Sequence, residues 1–148
     1  MEIMQVAQTH AAEETESLGA RLAEKMIQDP TLPAFIALYG DLGVGKTAFV
    51  RGFASVISPD SIVRSPTFAL VNEYRAKPLS LFHFDMYRIE SEDDLLSIGF
   101  EDYLNKDGFA LCEWSENIVD EIPAGAIRVT ILRTDGENGR KITVVTAD

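Results

Sequence analysis

The sequence predicts an α/β domain in which a mixed central sheet is covered by helices. Three observations predict it. An apolar run, Phe35-Ile36-Ala37-Leu38-Tyr39, leads into a glycine-rich turn and then a helical stretch. Two further apolar runs, LFHFD and FALCE, each end on an acid, at Asp85 and Glu113. Helical segments interleave with these strands, which requires a sheet covered by helices. Two hairpin signals add antiparallel neighbours, so the sheet is expected to be mixed rather than purely parallel.

Residues 11–27 read as the first helix, because Leu18, Leu22, Met26 and Ile27 recur near helical spacing and alanine is frequent. Thr9 is the candidate cap at its start, with Thr15 and Ser17 as local hydrogen bonders. Pro30 and Pro33 end it. Residues 35–39 have the length and the aromatic and β-branched content of a buried strand. The segment TAFVRGFASVI, residues 47–57, is the second helix. Residues 67–75 (TFALVNEYR) and 79–84 are strands, and the short RAKP link predicts an antiparallel hairpin. Residues 91–98 (SEDDLLSI) are a short helix with an acidic first turn. Gly108 precedes the buried strand Phe109-Ala110-Leu111-Cys112. Residues 126–132 and 141–145 flank DGENG as a C-terminal hairpin. No repeat, low-complexity tract or linker divides the 148 residues, so residues 1–148 are expected to be a single domain.

Composition narrows the function classes. The 13 Lys and Arg residues stand against 24 Asp and Glu, a net charge of -11. That balance opposes a long-range pull toward RNA, DNA or an anionic membrane. The one cysteine, Cys112, has no internal disulfide partner, so a reducing compartment such as the cytoplasm is expected. Residues 1–29 carry charges throughout, so no signal peptide is expected, and no run of 18 apolar residues spans a membrane.

The strongest motif is Gly40-Asp41-Leu42-Gly43-Val44-Gly45-Lys46-Thr47, a full match to G-x-x-x-x-G-K-[ST]. Its glycines let the backbone curl so that N–H groups point at phosphate oxygens. The helix that follows adds its positive end, drawing Ala48 into the cradle. Lys46 can reach the β and γ phosphates of ATP, and the Thr47 hydroxyl can ligate Mg²⁺. Such a loop needs a carboxylate to help hold the ion, and the usual source is an acid ending a neighbouring buried strand. Asp85 and Glu113 compete for that place. One can hold the ion while the other orients or deprotonates water, and the residues alone leave that division open. Ser65-Pro66-Thr67 precedes a strand, where its hydroxyls can reach the γ-phosphate or the metal in the manner of a switch loop. His83, between Phe82 and Phe84, reads as a packed or supporting group rather than a general base. His10 reads as surface. Arg88 is either a phosphate or partner contact or plain surface, and Trp114 either core or a partner contact.

Four stretches, GDLGVGKTAFVRG, SPTFALVNEY, HFDMYRI and CEW, occur in this order, with weaker flanks ETESLG and ALYGDLG. Together they resemble the bacterial TsaE family, also known as YjeE, over about residues 9–118 of the 148. The resemblance implies a P-loop NTPase-like three-layer domain with a mixed central sheet flanked by helices. It implies ATP hydrolysis with Mg²⁺, with the phosphate and metal roles on Lys46 and Thr47. Ser65-Pro66-Thr67 matches the family's first switch-like loop, which makes Thr67 a candidate catalytic residue. The run from His83 to Arg88 matches the second. Glu113 matches the metal-associated acid with Trp114 beside it, and Asp85 becomes the candidate for positioning water. The stretch around Thr9 matches the region that approaches the adenine. The implied partners are TsaB and TsaD homologues. TsaD transfers threonylcarbamoyl to adenosine 37 of certain tRNAs, and TsaE-type ATP hydrolysis restores that assembly for another cycle. Association with tRNA is then indirect, through the complex, with no DNA or membrane partner.

The runner-up is a small-molecule or nucleoside kinase with Asp85 as base on a substrate hydroxyl. Enzymes of that kind usually carry an arginine-bearing lid. The eight arginines here, from Arg21 to Arg140, do not cluster as one.

Overall fold

The computed structural model describes residues 2–66, 70–76 and 79–146. Its elements are β1 (Glu2–Thr9), α1 (Ala12–Gln28), β2 (Phe35–Tyr39), α2 (Lys46–Ile57), β3 (Val71–Tyr74), β4 (Ser80–Asp85), α3 (Glu92–Ser97), α4 (Phe100–Leu104), β5 (Gly108–Glu113), a 3-10 helix (Ser115–Glu121), β6 (Ile127–Arg133) and β7 (Arg140–Thr146). The strands form a seven-stranded sheet in the order β1-β7-β6-β2-β5-β4-β3. Its middle is parallel: β6 with β2, β2 with β5, β5 with β4. Both margins are antiparallel, β3 on β4 at one side, β7 on β6 and β1 on β7 at the other. The expected mixed sheet with helices on its faces is therefore what the chain forms.

Two apolar clusters cover the two faces. Leu18, Leu22 and Met26 of α1 and Phe49, Val50 and Phe53 of α2 pack against Ile36, Leu38, Leu81 and Leu111. On the other face Leu95 of α3, Phe100 of α4 and Ile118 of the 3-10 helix pack against Phe35, Phe82, Phe84 and Ala110. The central strands are buried on both faces, which is why they read as continuous apolar runs. The helices α1 and α2 approach closely because Gly52 offers only a hydrogen where they meet. A Cβ there would stand 1.8 Å from the carbonyl oxygen of Glu16. This contact fixes where α2 begins, and hence where the loop before it sits.

Several boundaries differ from expectation. The segment 2–9 is a strand that the sequence did not signal. Among the described residues it pairs only with β7; Ile3 and Val6 are exposed, Met4 and Ala7 are partly buried, and a register shift between Ile3 and Gln5 interrupts the alternation. Thr9 does not cap α1; the cap position is Ala11, which makes no side-chain cap hydrogen bond. The first strand of the middle hairpin, β3, begins at Val71, and residues 67–69 of its expected span, with Thr67, lie outside the described residues. Lys77 and Pro78 of the expected hairpin link also lie outside them. The helix α4 and the 3-10 helix were not expected, being short segments without a sustained period. Ser91 caps α3, its hydroxyl accepting the Asp94 N–H at 3.3 Å.

Candidate functional site

Side chains alternate between the two faces of a strand. On β4, Leu81 packs on the α2 side and Phe82 and Phe84 on the other, so His83 and Asp85 face α2. On β5, Phe109 and Leu111 face α2 while Ala110 and Cys112 face away, so Glu113 faces α2 as well. The parallel register sets Asp85 beside Glu113 at the strand ends. The two acids therefore emerge side by side, on the face where the loop after β2 turns into α2.

Glu113 is 4% exposed and accepts three contacts. The Thr47 hydroxyl lies 2.9 Å from one carboxylate oxygen and 3.1 Å from the other. His83 Nε2 lies 2.5 Å from the first of these. His83 is fully buried, and its Nδ1 has no hydrogen-bond partner among the described residues. Nε2 therefore carries a proton, which Glu113 accepts. Asp85 is half-buried. Its Oδ2 accepts from Ser65 Oγ at 3.2 Å and its Oδ1 from the Tyr87 N–H at 3.0 Å.

The loop itself is set by its glycines. Gly45, the residue before α2, has φ +113°, in the left-handed region that a side chain strains to occupy. Lys46 opens the helix and is buried; its ammonium donates to the Gly40 carbonyl and sits 3.5 Å from the centroid of the Trp114 ring. Burial holds its pKa below the usual lysine range, opposed by the carboxylates of Glu116, Glu113, Asp85 and Asp41. Trp114 itself is held at φ +57° and packs on the Tyr87 ring, 4.9 Å between centroids. A bulky residue in that conformation is strained, and such strain concentrates at functional sites. Asn117 ties the 3-10 helix to the turn after β4 by donating to the Met86 carbonyl at 2.8 Å.

The structure thus brings together Lys46, Thr47, Asp85 and Glu113 around residues 40–48. Asp41, Leu42 and Gly43 are exposed at the outer bend, Val44 and Ala48 are buried beneath it, and Gly45 is intermediate. Thr9 is buried behind the loop, its hydroxyl 3.2 Å from that of Thr15, whose methyl stands 3.7 Å from where a Cβ on Gly45 would lie. His10 is exposed, as is Arg88 in the turn after β4. Sequence reasoning missed Glu116, which accepts the Gly40 N–H at 3.2 Å, and Arg133 and Arg140, which bond to loop carbonyls. Glu116 carried one available signal, its place three residues after Glu113. The arginines carried none. A cavity of about 510 Å³ lies elsewhere, between α3, α4 and the 3-10 helix, lined by Leu95, Leu96, Phe100, Glu101 and Asp120. It belongs to the opposite face of the sheet and has no part in this cluster.

Comparison with known proteins finds likenesses by family model, by sequence and by structure. The model of a family described as "Threonylcarbamoyl adenosine biosynthesis protein TsaE" matches residues 9–142. The chain is 39% identical over 108 residues to the tRNA threonylcarbamoyladenosine biosynthesis protein TsaE of Bacillus subtilis, covering 73% of this chain and 66% of that protein. It is 39% identical over 114 residues to the protein of the same description from Haemophilus influenzae, covering 76% of this chain and 72% of the relative. Among solved structures, YdiB of Bacillus subtilis aligns with a TM-score of 0.75 at 29% identity, over 99% of this chain and 88% of that one.

Proposed function

The chain belongs to the TsaE family of threonylcarbamoyl adenosine biosynthesis proteins, and from that premise we propose that it binds and hydrolyses ATP with Mg²⁺ in support of a TsaB–TsaD pair making N6-threonylcarbamoyladenosine at position 37 of tRNA. One observation carries the reading: the Thr47 hydroxyl meets the Glu113 carboxylate at the mouth of a complete phosphate-binding loop, with Asp85 next to it in register.

The donor set suits Mg²⁺. A hydroxyl and a carboxylate are hard oxygen ligands, and this ion takes much of its shell from phosphates and water. Among the described residues no group of three or more His, Cys, Asp or Glu is arranged to hold a metal alone, which fits an ion shared with a nucleotide. When bound, Mg²⁺ neutralises charge developing on the phosphates. The chain's own residues do the rest. The N–H groups opening α2 receive phosphate oxygens, because the first turn of a helix leaves them without internal partners. Lys46, buried with its ammonium on the Gly40 carbonyl, exchanges that carbonyl for the phosphates. Glu113 is oriented by His83 and Thr47, so it needs no reorganisation to serve beside the metal. Asp85, with each oxygen held by a donor, is positioned to orient the attacking water. Thr67, two residues beyond Ser65, joins the site on the family match alone.

Phosphate release from ATP, measured with the chain alone and with the TsaB–TsaD pair, tests the reading. Slow release alone and faster release with the pair is expected. No release in either condition sinks it, and transfer of phosphate to a nucleoside in place of water supports a kinase instead.

A further inference from the structure

The C-terminal hairpin reaches the phosphate loop from behind. Register sets Tyr39, the last residue of β2, beside Thr130 of β6, so β6 runs on past β2 to Arg133 alongside the loop. Arg133 pairs in register with Arg140, the first residue of β7, at the mouth of the hairpin turn. Arg133 Nη2 donates to the Leu42 carbonyl at 2.6 Å, and Arg140 Nε donates to the Val44 carbonyl at 2.9 Å. Arg140 Nη1 also donates to the carbonyls of Glu137 and Gly139, at 3.0 and 2.8 Å, which locks its head group in place.

Arg140 Nη2 also reaches the Gly43 carbonyl, at 3.5 Å, whose peptide partner, the Val44 N–H, is already taken by the Asp41 carbonyl. The two shorter contacts fall on peptide units whose N–H is carried by a glycine: Leu42 C=O with Gly43 N–H, and Val44 C=O with Gly45 N–H. A trans peptide is planar, with its C=O and N–H pointing in opposite directions. A guanidinium that holds the carbonyl outward therefore turns the N–H inward, toward the cradle. Neither glycine N–H is taken by an acceptor among the described residues. Glycine units swing easily, so without an outer anchor these donors sample many directions. A cation on the carbonyl also polarises the unit and strengthens its N–H as a donor.

We propose that Arg133 and Arg140 are positioning residues that aim and polarise the Gly43 and Gly45 N–H groups at the phosphates of the nucleotide. This rests on the ATP-binding reading above. Arg140 is the stronger of the two, because it is half-buried and held by its own turn, whereas Arg133 is exposed.

The test is a titration of ATP, ADP and inorganic triphosphate into the wild type and into Arg133→Ala, Arg140→Ala and the double variant. Arg140→Ala is expected to weaken ATP about tenfold, the double variant more, and inorganic triphosphate by the same factors as ATP. Hydrolysis at saturating ATP stays within about twofold, so KM moves and kcat does not. Backbone order parameters at Gly43 and Gly45 in the nucleotide-free protein fall while the unfolding midpoint holds, which a merely structural role would not produce. If an alanine variant fails to fold, Arg133→Gln and Arg140→Gln keep a donor without the charge, and they are expected to lose part of the affinity. Wild-type ATP affinity in folded variants at both positions overturns this proposal and leaves the ATPase reading intact. A wild type that binds no ATP overturns both.

Discussion

Thr47 and Lys46 are adjacent in sequence, yet their substitution is expected to read out differently. Lys46→Ala removes the buried ammonium that bonds Gly40 and should abolish ATP binding in a fluorescent-nucleotide titration. Thr47→Ala removes only the hydroxyl that meets Glu113, so its loss should be larger with Mg²⁺ present than without. Equal losses in both conditions would argue against a metal role. Asp85→Asn keeps the shape and an oxygen for the Tyr87 N–H, and the Ser65 hydroxyl can turn to accept from the new amide, so it should hold ATP while hydrolysis falls about a hundredfold or more. Cys112 gives a pH prediction. Its thiol is fully buried, and burial pushes its pKa from 9.0 up to about 12. The unfolded chain releases that proton earlier than the folded one. The thiol's contribution is therefore whole below pH 9 and declines between pH 9 and about 12, by roughly 1.4 kcal/mol per unit. Tyr39, whose pKa burial also raises, adds to the same slope, so urea unfolding across that range should show a steeper fall in the wild type than in Cys112→Ala.

Among the elements, α1 and α2 carry the sharpest constraint. Gly52→Ala sets a methyl against the Glu16 backbone, so the helices must part, and a loss of about 2 kcal/mol in urea unfolding is expected. An unchanged midpoint would mean that the helices separate freely and that the start of α2 is not fixed by this contact. The same elements show how much the sequence reveals. The apolar runs of β2, β4 and β5 were legible because both their faces are buried, and the period of two then set Asp85 and Glu113 on one face. The strand β1 was not legible, because Met4 and Ala7 only partly bury their face against the core, Ile3 and Val6 are exposed, and a register shift between Ile3 and Gln5 breaks the alternation. Nor were Glu116, Arg133 and Arg140. Each meets the loop across 76 to 96 positions of chain, through a register that only the assembled sheet defines.

For the whole molecule, a net charge of -11 sets the terms of association. Direct capture of tRNA by the isolated chain is expected to be weak even at low salt, where phosphate contacts are strongest. The proposed TsaB–TsaD pair should instead sense the nucleotide, since the residues around Asp85 and Ser65 border the site. Calorimetry with no nucleotide, with ADP and with a non-hydrolysable ATP analogue should give three different affinities, and the coupling must run both ways. Identical values would remove the coupling. The margin of the sheet has a mechanical consequence. Glu2 of β1 lies opposite Thr146 of β7 in an antiparallel pair. A force applied between these two residues, as in an optical trap, loads the rungs between the strands one after another rather than all together. The molecule should therefore yield in two stages. β1 should peel away like a zip at low force, and a second, higher-force rupture should follow once the pull reaches the parallel strands around β2.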